Sequence, residues 1–172
     1  MKIRRPSARI AAAVASVGIA VVMSGCSNLN PIQTHEFYQS AEGTVANVYP
    51  AGPGEPVGLR NMLMIKTDDG AGLFTGTLSN DTAEEQTVEM TGKAGDTELF
   101  SETVTIPANG TVDLGEGEHQ AIKVDQLSGI EAGDNMQVTF SAAGSEDTVT
   151  VAVLDTSLPY LKEYVEGLTT QQ

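Results

Sequence analysis

Beyond residue 40 the chain alternates apolar and polar positions with a period of two, and Gly, Asn and Asp interrupt it at short intervals. Val149, Val151 and Val153 share one phase against Thr148, Thr150 and Ala152, and Met136, Val138 and Phe140 form a second such set. Successive side chains of a strand point to opposite faces, so this alternation predicts half-buried strands. Nine segments fit: Glu42–Tyr49, Val57–Thr67, Leu73–Ser79, Gln86–Thr91, Glu98–Ile106, Thr111–Leu114, Gln120–Val124, Asn135–Ala142 and Thr148–Leu154. Turn residues separate them, as at Asp68-Asp69-Gly70 and Pro107-Ala108-Asn109-Gly110. Regular short strands of this kind predict an all-β sandwich of seven to nine strands, immunoglobulin- or cupredoxin-like. Val57–Ile65 is almost continuously apolar and is expected to be a central strand. Only Leu158–Leu168 reads as a helix, with Pro159 in its first turn and Gly167 near its stop.

The first 25 residues follow a different pattern. Lys2, Arg4, Arg5 and Arg9 precede an apolar run from Ile10 to Met23, and the small residues Ser24 and Gly25 stand before Cys26. That order describes an export signal. Fourteen helical residues rise only about 21 Å, short of the roughly 30 Å hydrocarbon core. Met23-Ser24-Gly25-Cys26 resembles the lipobox of bacterial lipoproteins, with Met in place of the usual Leu. The resemblance implies cleavage before Cys26 and acylation of that residue. The expected organisation is a signal peptide (1–25), a lipidated N-terminus and tether (26–40), a β-sandwich domain (41–157) and a C-terminal tail (158–172) carrying the candidate helix. The expected location is the extracytoplasmic face of the cell membrane, held by a palmitate-type anchor.

Cys26 is the sole cysteine, so no internal disulfide supports the domain. The 147 residues from Cys26 onward are enough to bury a core without one. Four of the nine basic residues precede Cys26, leaving five against 23 acidic residues and a charge of −18 downstream. That balance argues against nucleic-acid partners, whose phosphates need cations. It also argues against adsorption to anionic lipid headgroups without the anchor.

Sequence motifs for catalysis are scarce. No nucleophile elbow, zinc-protease helix motif or phosphate-binding glycine loop occurs. The histidines are His35, in the tether, and His119. Asp68-Asp69 and Glu84-Glu85 are adjacent carboxylates at turns and read as solvated residues rather than acid–base dyads. Arg60 is the single arginine after the signal and lies within the most apolar strand. Burial there demands partners. A fixed contact to a carboxylate or to backbone carbonyls is expected, setting the register of the sandwich, with ligand binding as the alternative.

Val104–Leu114, Glu118-His119 and Gly133–Phe140 resemble the second half of the periplasmic copper chaperones called PCu(A)C, which have a cupredoxin-like sandwich. The resemblance implies Cu(I) held by His and Met, soft ligands suited to that ion. Here the ligand set is broken. His119 stands at the histidine of the family's H-x-M motif, but Ala121 replaces its methionine, and Met90 falls near the other histidine. Tyr38–Gly43, Val57–Ile65 and Gly72–Asn80 resemble actinobacterial envelope lipoproteins of the LpqE type. With the second half, that resemblance covers most of the chain beyond Cys26. It implies fold and location but no mechanism.

Two functions stay open at this point. The first is a non-enzymatic envelope binding or assembly module with an envelope protein partner and no cofactor. The second is an extracytoplasmic Cu(I) chaperone using Met90 and His119 in an incomplete or shared site. An outward-facing loop histidine and a core methionine are the plainer readings of those two residues.

Overall fold

The structure is a computed structural model describing residues 42–170, apart from 51, 53, 116–120 and 128. The expected signal peptide, Cys26, the tether and His119 lie outside the described residues. The strands are β1 (Thr44–Val48), β2 (Val57–Lys66), β3 (Gly72–Asn80), β4 (Gln86–Ala94), β5 (Thr97–Ile106), β6 (Thr111–Leu114), β7 (Ile122–Val124), β8 (Asn135–Ala142) and β9 (Ser145–Asp155). One helix, α1 (Pro159–Thr170), follows them. All nine predicted strands are present. The largest shifts are three-residue extensions, of β4 at its end and β9 at its start.

The nine strands form one curled system, ordered β5-β4-β8-β9-β2-β3-β6, with β1 on β2 and β7 on β3. The fold is all-β and sandwich-like. One layer holds β5, β4, β8 and the first part of β9, and the other holds β1, β2, β3, β6 and β7. β9 belongs to both. Ser145–Ala152 pairs antiparallel with β8, and Val153–Asp155 pairs parallel with β2.

The layers bury a common core. Leu59, Met62, Met64, Phe74 and Leu78 from one meet Val88, Met90, Phe100, Met136, Val138 and Phe140 from the other. The rings of Phe74 and Phe100 bridge the layers with centroids 4.9 Å apart. The alternation read from the sequence holds, since Met136, Val138, Phe140, Val151 and Val153 are all inward and buried.

β2 is central, as its apolar run implied, but the run has a defect. The partner of Ala46 on β1 is Leu59, and the partner of Thr44 is Met62. Arg60 and Asn61 therefore oppose Val45 alone, a β-bulge. Asn61 carries the extra residue at φ 52°, a left-handed conformation that Asn tolerates better than most side chains. The bulge shifts the side-chain phase by one. Val57 and Leu59 face the sandwich core before it, and Met62 and Met64 face the core after it. Leu63 and Ile65 are then turned to the outer surface, where α1 covers them with Leu161, Tyr164 and Val165. Positions 161, 164 and 165 form one stripe of a helix. Hence β2 is apolar on both faces beyond the bulge, one filled by the opposite layer and the other by the helix.

Arg60 departs from the expectation in its burial, while its partners are the backbone carbonyls that were one of the expected contacts. It is exposed rather than buried, because alternation from the inward-facing Leu59 points it to the outer face. It is nevertheless anchored. Its Nη1 donates to the carbonyls of Ala46 (2.9 Å) and Leu59 (3.0 Å), one nitrogen serving two acceptors rather than a fork gripping a carboxylate.

Candidate functional site

α1 packs on the outer face of β2 and β9 and reaches the end of β6 through Tyr164, and a cleft of about 760 Å³ opens beside it. Leu63 and Ile65 of β2, Leu114 of β6 and Leu161 of α1 give it an apolar floor. Polar groups ring that floor: Asn61 at the bulge, Thr75 and Thr77 on β3, Asp113 on β6, Glu42 ahead of β1, and Tyr160 and Tyr164 on α1. The bulge is what turns Leu63 and Ile65 outward to make the floor.

Tight local geometry places the ring. Gly43 packs against Asn61 so closely that a Cβ there would lie 2.4 Å from the Asn61 carbonyl carbon. Gly115, at φ 104°, seats the phenol of Tyr164, whose oxygen would be 2.3 Å from an added Cβ. The Tyr164 hydroxyl reaches the Leu114 carbonyl at 3.4 Å. Tyr160 is half exposed at 50 % and donates its hydroxyl hydrogen to the Glu42 carboxylate. That bond to an anion raises the Tyr160 pKa above its ordinary value. Asp113 accepts a hydrogen bond from Thr77 Oγ1 at 2.6 Å. Among the described residues neither Glu42 nor Asp113 has a cationic partner, and the one ion pair, Lys66–Glu131 at 2.8 Å, lies elsewhere.

The approach to α1 is capped from the sequence just before it. Asp155 accepts hydrogen bonds from the Ser157 backbone N–H (3.0 Å) and from its hydroxyl, which holds the Asp155 carboxyl below the usual carboxylate range. Pro159 then opens the helix, where a missing N–H costs nothing.

The residues singled out in the sequence do not meet in this cleft. Met90 is 0 % exposed on β4, within the sandwich core, and Met62 and Met64 are equally buried there. An ion would have to reach the Met90 sulfur through packed side chains. His119 lies outside the described residues. Arg60 sits at the bulge but does not line the cleft. Both carboxylate pairs lie at turns. Asp68 accepts from the Thr156 hydroxyl, and Asp69 is held by Thr67 Oγ1 and, at 3.3 Å, by the Ala71 N–H. Those two donors lower the Asp69 pKa. Among the described residues no three His, Cys, Asp or Glu side chains are grouped to hold a metal, and no helix is long and apolar enough to cross a membrane.

Tyr160, Tyr164, Glu42, Asp113 and Asn61 are what the sequence reading missed. Tyr160 and Tyr164 are half of the chain's four tyrosines and sit four apart on the predicted helix, a spacing that places two rings on one face. That was the available signal. No protein-family model matches the chain, and no curated protein matches it.

Proposed function

We propose that the chain is a non-enzymatic envelope lipoprotein whose β-sandwich acts as a binding module, anchored through Cys26 and working through the cleft beside α1. The cleft carries this reading. Its volume falls within the roughly 300–1,000 Å³ of small-ligand sites, and it combines an apolar floor with a few convergent polar groups. The lipobox resemblance supports the anchor. Glu42 lies sixteen positions beyond Cys26, a span of at most about 58 Å, so the cleft works close to the membrane surface. A protein partner in the envelope would meet the domain at the same face.

The Cu(I) chaperone stands second. Its support is the resemblance around His119, and the burial of Met90 weighs against it.

Two measurements test the proposal. Metabolic palmitate labelling in a bacterial host should mark the protein and vanish in Cys26→Ala. Replacing Tyr160 with photoreactive benzoylphenylalanine should give an envelope adduct on irradiation, while the same residue at Tyr49, exposed but away from the cleft, should not. Equal labelling from both positions would defeat the cleft as the binding site.

A further inference from the structure

We infer that the cleft selects a small organic cation, an ammonium or guanidinium head carried on an apolar body. This rests on the cleft being the binding site and goes beyond it by naming the ligand's chemistry. Three observations converge.

The first is charge. Glu42 and Asp113 bring two carboxylates to the rim, each accepting a hydroxyl hydrogen bond, and no Lys or Arg lines the cleft. A recess of one charge sign over low-dielectric walls focuses its field and concentrates ions of the opposite sign. An anionic ligand is disfavoured there.

The second is the aromatic pair. Tyr160 and Tyr164 project from one face of α1 at the same rim. Tyrosine faces attract ammonium and guanidinium groups, and more strongly where water is partly excluded. Hydrogen bonds already orient both phenols, to Glu42 and to the Leu114 carbonyl, so the rings are held in place before a ligand arrives.

The third is the floor. Leu63 and Leu161, each 5 % exposed, and Leu114, 3 % exposed, show narrow apolar edges among the charged residues, with Ile65 fully buried behind them. A hydrated inorganic cation gains nothing from these edges. An alkyl or aryl body attached to the cationic head does. The volume of the cleft suits a whole small molecule.

The test is calorimetric titration of the acylated full chain in phosphatidylcholine nanodiscs, with empty nanodiscs as the blank. The probes are benzyltrimethylammonium, its neutral analogue benzyl alcohol, the anion benzoate, and the peptide acetyl-Ala-Lys-Ala-amide. The expected order places benzyltrimethylammonium about tenfold above benzyl alcohol, with benzoate silent. Asp113→Asn and Glu42→Gln keep an oxygen to accept the Thr77 and Tyr160 hydrogen bonds, so they remove charge with little change of shape. Each should weaken the cation several-fold and leave benzyl alcohol unchanged. Circular dichroism confirms that both variants are folded. Benzyl alcohol binding as tightly as the cation, or charge-removing variants that bind the cation normally, overturns the inference. Tighter binding of the lysine peptide overturns the small-molecule assignment. If these fail while the Tyr160 photoadduct persists, the cation chemistry is wrong and the cleft stands. If the photoadduct is lost as well, the binding-module reading fails with it.

Discussion

Asn80 and Thr82 share a buried hydrogen bond: Thr82 Oγ1 donates to Asn80 Oδ1 at 2.8 Å, and the Thr82 backbone N–H donates to the same oxygen at 3.0 Å. The other end of the Asn80 carboxamide donates to the carbonyls of Glu84 (2.7 Å), Ile106 (3.2 Å) and Pro107 (3.0 Å). One side chain, 1 % exposed, thus ties the β3–β4 corner to the end of β5. Asn80→Ala removes donor and acceptor together and strands several buried partners. The expected loss is about 3 kcal/mol, read by urea unfolding. A change under about 1 kcal/mol would mean that water replaces the carboxamide.

Gly43 and Gly167 should respond oppositely to alanine. At Gly43 the new methyl meets the backbone of Asn61 at 2.4 Å, and a backbone cannot rotate away. Gly43→Ala should cost about 2 kcal/mol and distort the cleft rim. Gly167 lies within α1 with nothing within 4 Å of an added Cβ. Gly167→Ala should stabilise by roughly 0.5–1 kcal/mol through reduced chain entropy. Thermal unfolding of the two variants side by side checks both signs.

Tyr160 should titrate above ordinary tyrosine, because its proton bridges to Glu42. Its pKa is raised in the folded state. The associated stability is therefore complete below the unfolded tyrosine pKa and lost as pH rises through the folded value. Ultraviolet titration of the phenolate should show the late transition, and Tyr160→Phe should remove it. Glu42→Gln should move it back toward the ordinary value.

Asp69 behaves in the reverse sense. Its pKa is lowered mainly by the Thr67 hydroxyl and next by the Ala71 N–H. The stability it contributes is present above the unfolded carboxylate pKa and is lost as pH falls through the folded value. Carboxyl carbon NMR should place Asp69 among the more acidic aspartates, and Thr67→Val should shift it upward. An unmoved Asp69 in that variant would refute the assigned cause.

Met90 separates core packing from copper. Met90→Leu conserves volume and should change stability by less than about 1.5 kcal/mol, whereas Met90→Ala should cost about 2–5 kcal/mol. Cu(I) competition against a chromogenic chelator should give the same result for wild type and Met90→Leu. One-to-one binding that vanishes in Met90→Leu and in His119→Ala would promote the chaperone reading.

The strands were legible because each carries its own signal, as β8 and β9 show with clean alternation bounded by turn residues. The helix was legible for the same reason, through Pro159 and the apolar stripe that follows. The bulge was not. Arg60-Asn61 interrupts Val57–Ile65, but a polar pair in an apolar run reads equally as a buried charge seeking a partner, and that was the expectation for Arg60. Only the pairings to β1 and β3 on either side reveal that the strand gains a residue there. The cleft was out of reach for a related reason. Its lining joins Glu42, Asn61, Thr75, Asp113 and Tyr160, which meet through sheet pairing and helix docking rather than through local spacing. Sequence periodicity reports what a segment does to its own neighbours. It is silent on which segments converge.

β9 adds a temporal consequence to its place in both layers. The antiparallel partner β8 precedes it by a short hairpin, but the parallel partner β2 lies nearly ninety residues earlier. Closing so long a loop is entropically slow, and parallel pairing cannot begin until the late strand exists. Neither layer is finished while Ser145–Asp155 is still being delivered. A chain emerging from its N-terminus, as every newly made chain does, would therefore stay pliable for almost its whole length and lock at the last moment. The strand that arrives last also brings α1, so the fold and the cleft would be completed in a single closing event.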